Sequence, residues 1–97
     1  MYNLKFHEEA KKDLKQFDKS IRNIFAKKLK QILKSPETGK DLGNKNNLNL
    51  AGLKKVYFHN KKYRIVYEVK EMFINIIAIG KRDDMKVYKQ ASKRFNE

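Results

Sequence analysis

The chain has no cysteine, one proline, two histidines and only 11 acidic residues against 24 basic ones. Without cysteine there is no disulfide scaffold, no thiolate zinc site and no thiol nucleophile. His7 and His59 are too few for a histidine-rich metal centre. No apolar run approaches the roughly 18 residues of a membrane-spanning helix. The opening MYNLKFHEEA lacks the apolar core of a signal peptide. These absences lead to the expectation of a cytoplasmic protein with no metal, no cofactor and no membrane partner.

What remains is a basic chain of 97 residues, room for one domain spanning 1–97. Its formal net charge of +13 favours a polyanionic partner, nucleic acid or an acidic protein. Twenty of the basic residues are Lys and nine residues are Asn, a bias that AT-rich coding also produces, so composition alone leaves the charge open to both readings. Arginine is more selective. Arg22, Arg64, Arg82 and Arg94 stand where lysine is the default, and a planar, bidentate grip on phosphate is one reason to keep them.

Alternation of Tyr2, Leu4 and Phe6 with polar residues predicts a first strand. Glu8 and Glu9 open a short helix with Ala10, Leu14 and Phe17 inward. Asp18 or Ser20 can cap a second helix, whose apolar face is Ile21, Ile24, Phe25, Leu29, Ile32 and Leu33. Ser35-Pro36 ends it, because the residue before proline disfavours helical geometry. Residues 36–51 read as a long surface loop, with Leu48, Leu50 and Leu53 around Gly52 returning the chain to the core.

The second half reads as strands. If Asn60-Lys61 is a two-residue turn, Phe58 faces Tyr63 and Tyr57 faces Arg64. Lys55, Tyr57, His59 and Arg64 then share the face away from the main core. Met72 to Gly80 suits a central strand, and Asp83 or Asp84 can cap a last helix carrying Tyr88, Ala91 and Phe95 on one stripe. The expected fold is α+β, in the order β-α-α-β-β-β-α, with a helical hairpin packed on a mostly antiparallel sheet.

Three segments, with this element order, resemble the RelE branch of the RelE/ParE toxin superfamily over essentially the whole chain. Leu50 to Lys55 is similar to the family's leucine–glycine lead-in to a strand. Tyr63-Arg64-Ile65-Val66-Tyr67-Glu68-Val69 looks like its third-strand signature. The segment from Ile79 through Gly80-Lys81-Arg82 to Val87-Tyr88 is the most specific of the three. The resemblance implies a RelE-like, microbial-ribonuclease-like fold. It also implies a ribosome-dependent, metal-independent endoribonuclease cutting messenger RNA, neutralised by a cognate antitoxin. Its catalytic roles fall on Lys55, Arg64, Arg82 and Tyr88, with Lys54, Tyr57, His59 and Lys81 as RNA-binding candidates. One position departs: where close relatives carry a second lysine, this chain has Tyr57.

Cleavage without metal needs a base for the ribose 2′-hydroxyl, charge at the phosphorane and help for the 5′-oxygen. On the resemblance, Tyr88 is the base, Arg64 holds the phosphate, and Arg82 stabilises the phosphorane and leaving oxygen. The products are then a 2′,3′-cyclic phosphate and a 5′-hydroxyl. A free tyrosine titrates near 10, about three units and about 4 kcal/mol from a neutral-pH base. Arginine is too weak an acid to give up a proton, so the proton for the leaving 5′-oxygen comes through water.

Each residue taken singly has a plainer reading. Tyr88 on its stripe is a packing residue, Arg82 beside Asp83 and Asp84 an exposed ion pair, and Arg64 a solvated partner of Glu68. His59 and His7 read as turn and junction residues, and Tyr57 stacks on a base or fills a cross-strand pair. Two other functions fit the charge: a ParE-like toxin that binds DNA gyrase, and a nonenzymatic nucleic-acid-binding module.

Overall fold

The computed structural model describes residues 2–45, 48–82 and 86–96. Strand β1 (Asn3–Phe6) leads through His7 into helix α1 (Glu8–Lys15). His7 is the junction: its Nδ1 accepts from the Glu9 backbone N–H at 3.1 Å, capping α1. Asp18 caps helix α2 (Lys19–Lys34) by accepting from Ile21 N at 3.0 Å. The hydrogen bonds from Ser20 and Ile21 also lower the Asp18 pKa. Ser35-Pro36 ends the helix, and Pro36–Thr38 forms one 3-10 turn.

Beyond that turn the expected loop is a strand. Strand β2 (Lys40–Lys45) pairs antiparallel with β3 (Leu48–Phe58), followed by β4 (Tyr63–Lys70), β5 (Phe73–Lys81) and helix α3 (Lys86–Phe95). The sheet therefore has five strands, in the order β1-β5-β4-β3-β2. Only the β1–β5 pair is parallel. The α+β class, the helical hairpin and the mostly antiparallel sheet stand as expected; β2 is the addition. Its sequence, KDLGNK, has no apolar alternation to reveal it. Tertiary contacts fix it instead: Tyr67 Oη donates to Pro36 O (2.7 Å) and accepts from Gly39 N (3.1 Å), pinning the approach to β2. Burial raises the Tyr67 pKa, which keeps the phenol proton available for that bond.

The β3–β4 hairpin follows the expected register, with Phe58 opposite Tyr63 and Tyr57 opposite Arg64. Lys62 N donates to His59 O at 3.0 Å, closing the turn over Asn60 and Lys61, both at positive φ (55° and 64°). That left-handed pair matches the twist of the strands it joins.

Two cores flank the sheet. Helices α1 and α2 cover one face, where Ala10, Phe25 and Ile32 meet Val56, Phe58, Ile65, Tyr67, Ile74, Ile76 and Ile79. Helix α3 covers the other, packing Val87, Tyr88 and Ala91 on Leu50, Leu53, Val66, Ile77 and Ala78. Strand irregularities make the second core possible. The register shifts between Val66 and Tyr67 opposite β5, and Ile77 has no partner there, so Ile77 and Ala78 both reach the α3 side. Gly52, at φ 93°, likewise lets Leu50 and Leu53 point the same way. The expected cap of α3, Asp83 or Asp84, lies outside the described residues.

One buried ion pair fastens α3 to the rest. Arg94 donates to both Asp13 carboxylate oxygens, at 2.7 and 3.2 Å, and to Ile77 O at 2.8 Å. Asp13 also accepts from Ile79 N at 3.1 Å. The two side chains are 8% and 11% exposed. This arginine therefore grips a carboxylate, not a phosphate. Arg94→Ala strands the Asp13 charge, and we expect a loss of about 3–5 kcal/mol in urea unfolding at unchanged m-value. A loss under about 1 kcal/mol, the range of exposed pairs, contradicts the fastening role.

Candidate active site

The candidate site lies on the α3 face, at the end of the sheet where β3, β4 and β5 approach the hairpin turn. Arg64 is in the centre of it. Its cross-strand neighbours are Tyr57 on β3 and Gly80 on β5. Strand alternation aims it at α3, and there it is only 5% exposed. A buried guanidinium needs compensation. Arg64 has part of it in the ring of Tyr88, whose centroid is 4.2 Å from Cζ. A desolvated cation–π contact of this kind contributes about 2 kcal/mol. Among the described residues Nε and Nη1 of Arg64 have no hydrogen-bond partner. The arginine is therefore held in place with donors unspent, the state of an anion receptor waiting for its anion.

Gly80 sets how close α3 comes. A Cβ at this position runs into Cγ2 of Val87, the residue before Tyr88. The glycine of the Gly80-Lys81-Arg82 segment is thus a packing requirement, and it seats Tyr88 against Arg64.

Tyr57 lies beside this pair and is half-buried. Lys55 Nζ donates to Tyr57 Oη at 2.8 Å. The Arg82 guanidinium carbon stands 5.2 Å from the Tyr57 ring centroid and that of Arg64 5.9 Å. Arg82 is exposed, held at the end of β5 by donating its backbone N–H to Lys62 O at 2.9 Å. Electrostatics follow from the geometry. The Lys55 hydrogen bond, with the charges of Lys55, Arg64 and Arg82, pulls the Tyr57 pKa below that of an ordinary phenol despite burial. Burial opposes the Lys55 charge, but the Tyr57 and Tyr88 hydroxyls outweigh it and raise the lysine pKa.

Five sequence candidates therefore converge: Lys55, Tyr57, Arg64, Arg82 and Tyr88. Three do not. Lys54 points to the opposite face, where its Nζ is 2.7 Å from Asp41 Oδ1. Lys81 is paired in register with Tyr63 and shares that residue's face. His59 was expected beside Lys55 and Tyr57, but its φ of 54° breaks the alternation. Its ring packs 5.9 Å from that of Tyr63, on the helical-hairpin side.

Tyr88 lies deeper than Tyr57. It is 1% exposed with its ring against the Arg64 guanidinium, so its hydroxyl is less accessible than that of half-buried Tyr57 in this arrangement. Here the Tyr88 ring is a platform for Arg64, and its hydroxyl helps raise the Lys55 pKa. Tyr57 was read only as a stacking or packing residue; its lysine partner was legible in the i, i+2 spacing of Lys55 and Tyr57 on one strand face. Among the described residues no three His, Asp or Glu side chains gather as a metal site.

An open groove of ≈ 680 Å³ adjoins the cluster. Lys55 and Tyr57 form one wall; Lys27, Lys28 and Gln31 of α2 line the other. Its positive lining suits a polyanionic chain leaving the site.

Comparison with known proteins places this geometry. Residues 4–85 match the family model described as "ParE toxin of type II toxin-antitoxin system, parDE". The mRNA interferase toxin RelE of Escherichia coli strain K12 is 32% identical over 98 residues, covering 97% of each chain. The structure of an E. coli RelE arginine double mutant in the free state superposes with a TM-score of 0.77, at 31% identity over 96% of each chain. The intact E. coli RelBE toxin–antitoxin complex gives a TM-score of 0.67 at 27% identity, over 87% of this chain and 100% of that one.

The Gly80 contact yields a test. Gly80→Ala forces α3 off the sheet, and we expect about 1–3 kcal/mol of destabilisation in thermal or urea unfolding. Adding Val87→Ala opens the space and returns part of that loss. A Gly80→Ala variant as stable as the native protein contradicts this packing.

Proposed function

Because the chain belongs to the RelE/ParE superfamily of type II toxin–antitoxin toxins, we propose that it is a ribosome-dependent endoribonuclease. In this reading it cuts messenger RNA in the ribosomal A site without a metal ion, and a cognate antitoxin neutralises it. The E. coli relative's designation as an mRNA interferase supports the reaction class. The RelBE complex among the structural neighbours supports an antitoxin partner. The observation that carries the reading is Arg64, buried at 5% exposure on the Tyr88 ring with unspent donors, and with Lys55, Tyr57 and Arg82 beside it.

The proposed reaction is attack of a ribose 2′-oxygen on its own 3′-phosphate. Arg64 receives the scissile phosphate, and its fixed, desolvated charge strengthens as the phosphorane gathers negative charge. Arg82, exposed and free to approach from the solvent side, stabilises the equatorial oxygens and the leaving 5′-oxygen. The raised pKa of Lys55 keeps it an ammonium, adding a third positive charge. Water protonates the departing 5′-oxygen, since a guanidinium does not release its proton. Tyr88 acts through Arg64 and Lys55. No histidine joins the cluster, so catalysis depends heavily on alignment of the substrate, which the ribosome supplies. Ribosomes as the target agree with a cytoplasmic location.

The ParE family match favours one second reading, a toxin that binds gyrase and cuts no RNA. Primer extension on a defined message in a purified translation system separates the two. We expect A-site cuts with the native protein, weak cutting of naked RNA, and a loss of about 10²–10³ in rate for Arg82→Ala, the scale of one electrostatic donor. Arg82 is exposed, so the substitution leaves the fold in place. Intact message under native toxin turns the assignment to the gyrase reading.

A further inference from the structure

The cluster contains two tyrosines, and they differ in exposure. Tyr88 is 1% exposed beneath the Arg64 guanidinium. Tyr57 is half-buried, opens onto the groove, and has its hydroxyl on the Lys55 ammonium at 2.8 Å. We propose that Tyr57 is a catalytic residue, the group that takes the proton from the attacking 2′-hydroxyl. The proposal rests on the ribonuclease reading above and deepens it.

Three features of position support it. Tyr57 lies directly across the strand pair from Arg64, so a phosphate on Arg64 sets the adjoining ribose near the Tyr57 hydroxyl. Arg82 stands 5.2 Å from its ring centroid, so both phosphate-binding guanidinium groups border the same phenol. Three cations around one phenol favour the phenolate in the free site, and the lowered Tyr57 pKa expresses that field. The other nearby candidates are unsuited. Lys55 has a raised pKa and stays protonated, and His59, which lines the same groove, packs its ring against Tyr63.

The step balances within the site. The Tyr57 phenolate oxygen takes the 2′-hydroxyl proton as the 2′-oxygen forms its bond to phosphorus. The phosphorus–O5′ bond breaks, its electron pair leaves on the 5′-oxygen, and water protonates that oxygen. The cyclic phosphate departs and the phenol returns its proton to solvent. Activity therefore rises with pH as the phenol ionises, with the rising limb below the value of about 10 for a free tyrosine.

The test is single-turnover cleavage on programmed ribosomes across pH, with the native protein, Tyr57→Phe, Tyr57→His and Tyr88→Phe. Tyr57→Phe keeps the ring and removes the acid–base group. Its rate should fall about 10²–10⁴-fold, with cut positions and ribosome affinity unchanged. Tyr57→His restores a titrating group, so cleavage should partly recover and the rising limb should move toward about 6.5. Tyr88→Phe, which keeps the platform, should cut faster than Tyr57→Phe. Tyr57→Phe cutting at close to the native rate overturns the proposal and leaves the ribonuclease reading intact. Tyr57→His no faster than Tyr57→Phe assigns Tyr57 a structural role and also overturns it. No cleavage by the native protein overturns the ribonuclease reading and this proposal together.

Discussion

Arg94 and Asp13 are far apart in the chain and meet in a low-exposure site that neither could occupy alone. Each is a charge that burial would expel from the fold if its partner were missing. Together, with Ile77 O and Ile79 N completing their hydrogen bonds, they tie the last helix to the first and both to β5. Helix α3 must lie on the sheet for Tyr88 to stand under Arg64, the arginine proposed to receive the phosphate. The chemistry at one end of α3 thus depends on the ion pair at the other. The fit at Gly80, where a methyl group has no room beside Val87, sets the spacing between them.

The site then follows from burying a cation deliberately. In water a guanidinium and a phosphate attract weakly, because solvent satisfies both. Arg64 has already lost most of its water and has an aromatic face as partial replacement. In the proposed reaction an arriving phosphate meets donors that need little further desolvation. Arg82 remains exposed at the mouth, where it can move onto the substrate. One arginine is buried and the other exposed, from positions on β4 and at the end of β5. Tyr57 lies between them, with Lys55 as its hydrogen-bonding partner.

Much of this was legible in the chain because local rules act over short distances. The three-and-four spacing from Ile21 to Leu33 gave α2, and a two-residue turn at Asn60-Lys61 fixed the register that sets Arg64 opposite Tyr57. The motif from Gly80 to Tyr88 pointed to Arg82 and Tyr88, which the fold brings beside Tyr57 and Arg64. What escaped depends on long-range contacts or on one unusual dihedral. Strand β2 has no apolar alternation and is held by Tyr67, 31 residues from Pro36. The positive φ of His59 reverses its side, and no rule requires a histidine to adopt it. Arg94 looked like any basic residue near a chain end until Asp13 was beside it. Burial of Tyr88 was legible from its place on a packing stripe with Ala91 and Phe95.

Every step of the account requires the ribose 2′-oxygen to be the nucleophile. The most direct measurement uses a ribosome-bound message with a single 2′-deoxynucleotide at the cleavage position, with analysis of the ends formed on the all-ribose control. The account predicts that the deoxy substitution abolishes the cut, and that the control yields a 2′,3′-cyclic phosphate and a 5′-hydroxyl. Cleavage that persists at the deoxynucleotide, or that leaves a 5′-phosphate, would contradict it.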